Sequence, residues 1–224
     1  MNLLSSFILA YRSLGIFSLI KTLRFNIHYF GFKRGLQLPV FIYKSVYFKQ
    51  RLGSVKLSSF KIGNVKIGKN IVGVFEKMPT VIQFNDGCNI EFGDGVIIGS
   101  GCKVSASGGV KLGDNVCITG KSMIIANQSV TIQENSLISW NVQIMDTDLH
   151  KLYVDEKYVN GNKSVIVGKN VWVNSHCTIL KGTVIADNCV VGANSLINSQ
   201  FEKQNCLIVG NPAKVVRENI IWKR

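Results

Sequence analysis

An apolar residue recurs at every sixth position along much of this chain, a period that neither a helix nor an ordinary strand accommodates. It runs Phe92, Ile98, Val104, Leu112, Ile118, Ile124, Ile132, Ile138, Ile144. It resumes at Val167, Val173, Ile179, Ile185, Val191, Ile197, Lys203, Val209 and Val215, so seventeen of the eighteen positions are apolar and Lys203 alone fails. A helix needs a period near 3.6 and a half-buried strand a period of 2. Period six fits a parallel β-helix, in which three short strands make one triangular coil and successive coils stack at strand spacing. Glycine follows the apolar residue at Gly93, Gly99, Gly113, Gly168, Gly192 and Gly210, which reads as a run of tight corners. The fourth place after the apolar residue is small or β-branched, as at Val96, Cys102, Ser136, Val142 and Ser195. The expected fold class is therefore all-β.

The spacing also locates irregularities. Coils are 20 residues long from Phe92 to Ile132 and a strict 18 from Val167 to Lys203. Between Ile144 and Val167 the step is 23 residues where six are due, so seventeen residues leave the prism as a loop of about 146–162. A long excursion from a regular scaffold is where function is usually carried.

Charge divides the chain in two. Of 26 Lys and Arg, twelve lie between Met1 and Phe75 without a single acid, and the remaining residues hold 14 bases against 13 acids. Nearly the whole net charge of +13 therefore sits in the first third. The expected organisation is a basic, aromatic, partly helical segment over 1–60, a repeat domain over 61–217 and a tail over 218–224. The basic segment also carries Phe17, Ile20, Phe25, Tyr29, Tyr43, Tyr47 and Phe48. Three partners compete for such a surface: an anionic membrane for residues 1–56, the fold itself as a cap, and nucleic acid. No nucleic-acid motif accompanies the charge, so that partner is not expected. No apolar run is long enough to span a bilayer, and the first twenty residues, without a basic leader or a small-residue cleavage site, are not expected to act as a signal peptide. The expected location is cytoplasmic, peripheral on the inner membrane face. Of the six cysteines, Cys102, Cys177 and Cys189 fall on the small inward position, while Cys88, Cys117 and Cys206 lie off it. With no CxxC pair, they read as reduced core filler.

The stretch Val167-Gly-Lys-Asn-Val-Trp-Val-Asn-Ser-His-Cys-Thr-Ile-Leu-Lys-Gly-Thr-Val-Ile-Ala-Asp-Asn-Cys-Val-Val-Gly-Ala-Asn-Ser-Leu196, followed by Val209-Gly-Asn-Pro-Ala-Lys-Val-Val-Arg217, resembles the coenzyme-binding half of the bacterial hexapeptide-repeat acyltransferases. The likeness spans residues 92–217, and the basic segment with Leu38-Pro39 resembles the polysaccharide O-acetyltransferase branch. It implies a left-handed β-helix, a homotrimer with each site between two prisms, acetyl-CoA as co-substrate, no metal, and a carbohydrate acceptor. It also implies that the excursion loop carries a histidine general base, and here the loop opens Ile144-Met-Asp-Thr-Asp-Leu-His150. The chemistry makes the same demand, because a sugar hydroxyl must lose its proton as it attacks a thioester. A neutral imidazole, ordinarily titrating near pH 6.5, suits that task.

Around His150, the carboxylate of either Asp148 or Asp146 could orient the imidazole, and both could equally cap the loop or bind sugar hydroxyls; Asp148 is the candidate for the orienting role and Asp146 for sugar hydroxyls. Trp140 could stack on a sugar ring and Asn141 could hydrogen-bond acceptor or oxyanion, with plain packing as the alternative for both. His176 either borders the coenzyme channel or is a turn residue, and His28 is assigned no role. By resemblance, the pantetheine arm follows Gly192, Ala193, Asn194 and Gly210, Pro212 shapes the adenine end, and Lys214 and Arg217 meet the phosphates. Asn198-Ser199 and Asn174 depart from the family pattern, where Thr-Lys and a corner glycine are usual.

The expected function is acetyl-CoA-dependent O-acetylation of a sugar in a bacterial surface polysaccharide or its lipid-linked precursor, by direct transfer. An N-acetyltransferase acting on an amino-sugar nucleotide and a non-catalytic β-helix scaffold are the alternatives. A zinc anhydrase of the same architecture would need three convergent histidines, and the repeat holds only two.

Overall fold

The computed structural model describes residues 3–73 and 78–224; Met1, Phe75 and Glu76, the ends of the acid-free stretch and its first acid, lie outside it. Within it the six-residue period is three parallel sheets wound into a triangular prism. One sheet has nine strands and the other two have seven each. Down the first face the inward column is Ile42, Ile67, Ile98, Ile118, Ile138, Val173, Val191 and Ile208, each opposite the next. Down the second it is Phe48, Ile82, Val104, Ile124, Ile144, Ile179 and Ile197. Down the third it is Leu57, Phe92, Leu112, Ile132, Val167, Ile185 and Phe201. Stacked aliphatic and aromatic side chains fill the prism as one continuous core, and that burial drives the winding.

Coiling begins earlier than the period reveals. Strands Val40–Ile42, Val46–Arg51 and Ser54–Leu57 already form the first coil, ahead of residue 61 where the repeat domain was expected to open. The period also fails at the far end. The third-face step from Ile185 leads to Phe201 after sixteen residues, and the first-face step from Val191 leads to Ile208 after seventeen. Two shortened coils thus explain Lys203: it is not an inward residue that failed but an exposed one, paired with Glu218 at 2.5 Å. Val215 lies on strand Ala213–Arg217, which turns back antiparallel on Leu207–Gly210 instead of opening a further coil. The tail then runs down the prism, with Trp222 Nε1 donating to the Asn170 carbonyl at 2.7 Å and Arg224 to that of Asn115 at 3.0 Å.

The corners work differently from the expectation. Gly99 has no unusual φ; a Cβ there would stand 1.8 Å from the Thr119 carbonyl oxygen of the next coil, so close approach demands the glycine. The left-handed corner conformation falls mainly on asparagine, at Asn115, Asn135, Asn170, Asn188 and Asn205 along one edge. Asparagine is among the few non-glycine residues that take it readily. The small inward corner residues are buried as expected, and their hydroxyls stitch coils together: Ser136 accepts from Val171 N–H at 2.9 Å and donates to the Gly168 carbonyl at 2.8 Å. All six cysteines are buried free thiols.

Two helices, α1 (Leu3–Leu14) and α2 (Ile16–Gly35), precede the prism and break at Gly15, whose φ of 72° suits glycine. The buried side of α2, including Leu19, Thr22, Phe25 and Asn26, lies across the open end of the first coil. An uncovered strand there would offer unpaired backbone groups to any other chain. Instead Asn26 donates to the Val40 carbonyl at 2.7 Å and accepts from its N–H at 3.1 Å. One helical turn away, Thr22 accepts from Ile42 N–H at 2.9 Å. Lys21 donates to the carbonyls of Lys44 and Val46, and His28 Nε2 to that of Arg51. Side chains of the basic segment therefore complete the hydrogen bonding of the first strands. Asn26→Ala leaves two buried backbone groups without partners, at a cost of about 1–3 kcal/mol for each; urea unfolding of the full chain should show that loss as a lowered midpoint.

Candidate active site

The excursion loop leaves the second face after strand Gln143–Met145, and its first residue locks it to the prism. Asp146 is fully buried, and its two carboxylate oxygens accept from the backbone N–H groups of Asn127 and Gln128, each at 2.8 Å. These two residues are the corner of the coil below, so Asp146 serves as a joint; with both oxygens engaged in the core, it does not reach an acceptor. The Asp146 carbonyl accepts from Lys163 N–H at 3.0 Å, closing the neck of the loop.

Beyond the neck the chain turns sharply. Leu149, with φ 64°, donates its N–H to Thr147 Oγ1 at 3.0 Å, and His150 N–H reaches the Asp148 carbonyl at 2.7 Å. Two short strands, Tyr153–Val154 and Lys157–Tyr158, pair antiparallel and stack their tyrosine rings 5.7 Å apart. Asp155 and Glu156 between them both have positive φ, as a two-residue hairpin turn requires. The result is a loop closed by a hairpin turn at its tip, with His150 exposed on the outgoing arm near the neck.

Asp148 does not hold the imidazole. Among the described residues the His150 ring makes no hydrogen bond, and the Asp148 carboxylate is taken by the Lys181 ammonium and by Asn160 Nδ2, the latter at 2.8 Å. The Lys181 ammonium and the Asn160 amide hold the Asp148 carboxyl below the ordinary carboxylate range. Asn160 also donates to the His150 carbonyl at 2.9 Å and accepts from Leu152 N–H at 2.6 Å, while its own carbonyl accepts from Lys181 at 2.9 Å. Lys181, on the next coil, thus bolts both arms of the loop to the prism. Sequence reasoning missed Lys181 and Asn160. The repeat placed Lys181 at a corner beside the loop, but no motif marks its partner.

A second group of expected residues lies along another edge, where the first face turns into the second. Here Lys121, Asn141, His176 and Asn194 occupy the same left-handed corner position in successive coils. Backbone bonds tie the last three: His176 N–H to the Trp140 carbonyl and Asn194 N–H to that of Ser175, both at 3.1 Å. Asn141 Nδ2 donates to His176 Nε2 at 3.4 Å. Trp140 keeps 39% of its surface exposed at this edge. The same edge continues into the coenzyme candidates. Ser195 Oγ donates to the Gly192 carbonyl at 2.7 Å and accepts from Gly210 N–H at 3.1 Å, fixing the two glycines in adjacent coils. Ala193, Asn194, Pro212, Lys214 and Arg217 lie outside the core around them, all five exposed.

One chain therefore splits the expected site. Trp140, Asn141, His176 and Ala193 follow one edge of the second face, whereas His150, Asp148 and Lys181 follow the other, with strands Gln143–Met145 and Thr178–Ile179 between.

Comparison with known proteins agrees with this architecture. The family model for the bacterial transferase hexapeptide matches residues 164–199. The uncharacterized 24.8 kDa protein in the cps region of Klebsiella pneumoniae is 30% identical over 197 residues, covering 84% of this chain and 88% of the relative. The putative lipopolysaccharide biosynthesis O-acetyl transferase WbbJ of Escherichia coli K12 is 30% identical over 172 residues, covering 67% of this chain and 87% of that one. Among solved structures, the polySia specific acetyltransferase NeuO superposes with a TM-score of 0.56 at 21% identity, over 80% of this chain and 89% of that one, a likeness of fold: the left-handed parallel β-helix. A prism wound from hexapeptide coils, with relatives matched over most of their length, places the chain in the bacterial hexapeptide-repeat family as an acetyltransferase.

Proposed function

We propose that this enzyme transfers the acetyl group of acetyl-CoA to a sugar hydroxyl of a bacterial surface polysaccharide or its lipid-linked precursor. The observation that carries the reading is His150, exposed on the loop arm that Lys181 and Asn160 bolt to the prism. A general base needs a fixed approach to the proton it removes. The naming of WbbJ for lipopolysaccharide biosynthesis supports a glycan acceptor.

In the proposed reaction His150 takes the hydroxyl proton as the sugar oxygen attacks the thioester carbonyl, and returns it to the departing thiolate. Transfer is direct. The cysteines are poor nucleophiles, since burial pushes the Cys102 thiol up to about 12 and raises those of Cys117, Cys177 and Cys189. Lys181 and Asn160 act as positioning residues, and Trp140 and Asn141 face the acceptor. The coenzyme follows the edge from Ala193 to Gly210, with Lys214 and Arg217 offered to its phosphates.

The site becomes whole in a homotrimer, where the His150 edge of one prism meets the Ala193 edge of its neighbour. The outward side chains of the second face support such packing, because they include Met123, Ile125, Met145, Leu180 and Leu196. Placement at the inner membrane face fits the outer side of α2, where Ile16, Phe17 and Ile20 are exposed beside Arg24. Among the described residues no helix is long and apolar enough to cross a membrane.

His150→Ala should lower the rate of acetyl-CoA thiol release with a glycan acceptor by about 10²–10⁴-fold, with coenzyme binding intact. Equal rates would remove His150 from the mechanism, and turnover of amino-sugar nucleotides alone would favour N-acetylation. Lys181→Ala should lower kcat by about tenfold to a hundredfold with little change in KM for acetyl-CoA, and Lys181→Arg should recover part of it. Because Asp148 stays ionised to below the ordinary carboxylate range, this bolt persists at pH values where an imidazole protonates. It is lost only as pH falls through the lowered Asp148 value.

A further inference from the structure

We propose that the cleft at the foot of the Trp140 edge is a phosphate site that holds the anionic anchor of the acceptor, a glycosyl phosphate or diphosphate. This rests on the reading of a sugar acceptor given above. The cleft is about 760 Å³ and is walled by Tyr43, Lys44, Tyr47, Lys69 and Asn70, a size typical of ligand sites. Lys21 reaches its margin, with Nζ 5.0 Å from the centre of the Tyr47 ring.

No carboxylate among the described residues offsets these cations. Lys21, Lys44 and Lys69 have no carboxylate partner there, and no Asp or Glu precedes Glu76 in the sequence. Burial, and then the neighbouring Lys44, hold the Lys21 ammonium below the ordinary lysine range. Like charges gathered over a concave surface are stabilised by a multivalent anion, and phosphate oxygens accept from several ammonium groups at once. The two tyrosines add amphipathic rings suited to an attached sugar.

Position narrows the ligand class. Gly68, Lys69 and Asn70 occupy the same edge as Trp140 and Asn141, three coils below, a rise of about 14 Å at strand spacing. On the other side Lys44 Nζ lies 5.8 Å from the Phe17 ring, at the border of the exposed apolar face of α2. A glycan carrying a phosphate ester at its reducing end meets both conditions, with the phosphate among the lysines and the sugars rising along the edge.

The full chain, saturated with coenzyme A to occupy that molecule's own phosphate contacts, is titrated with inorganic pyrophosphate by calorimetry. Wild type should bind, and Lys44→Ala/Lys69→Ala should bind about 25-fold more weakly, at about fivefold per cation. Arg12→Ala should match wild type. The thermal midpoint of the double variant should not fall, because repulsion is relieved. Displacement of pyrophosphate by phosphatidylglycerol vesicles identifies a lipid-borne phosphate, and displacement by a soluble nucleotide sugar a free one; either supports the site. Absence of binding, equal affinity in the double variant, or displacement by neither competitor overturns it. The readout needs no turnover, so pyrophosphate binding in a chain that transfers no acetyl group would count against the proposed function and not against this site.

Discussion

Parallel hydrogen bonding between successive coils is the constraint on which everything else in this protein depends. Each coil is too small to bury its own side chains, so each takes its register from the one below through three ladders. Inward positions can then vary only among residues of similar volume, as in the column from Ile42 to Ile208. Corners escape that rule, and function collects there. Asn141, His176 and Asn194 share one backbone conformation in adjacent coils, yet carry different side chains to one edge.

A stack of this kind has two open ends, and the chain closes each differently. At the start, Thr22 and Asn26 on one face of α2 supply the hydrogen bonds that a preceding coil would have made. At the finish, strand Ala213–Arg217 folds back on its neighbour and the tail runs down the corner to Asn115. The basic segment is therefore part of the fold whatever else it does. Its inward face closes the prism, while its outward face keeps Phe17 at 67% exposure.

From Phe92 to Ile197 the winding was legible because the inward column is a pure volume signal, repeated at fixed spacing. The first two coils were not, since Ile67 follows Ile42 by 25 residues and Ile98 follows Ile67 by 31, too irregular for any period to show. Glycine was legible as a position but not as a cause, because Gly99 answers to the Thr119 carbonyl of another coil. In the loop, His150 could be singled out by the break in period and by its chemistry. The use of its neighbours could not: Asp146 and Asp148 look alike in sequence, yet one is a buried joint to Asn127 and the other pairs with Lys181, 33 residues away. Such pairings depend on which coil lies above which, and only the wound structure supplies that.

In the proposed homotrimer the base and the coenzyme edge of one working site come from different copies of this chain. Two full-length variants test it, His150→Ala and Ala193→Trp, the second filling the coenzyme edge with an indole. Each alone should be inactive, and the two should be unfolded together and refolded as mixed assemblies. If the site is shared, the mixture regains a measurable part of wild-type acetyl transfer, from interfaces that join an intact His150 to an intact Ala193. If mixed assemblies form and remain as inactive as their parents, each chain holds its whole site and the account is wrong.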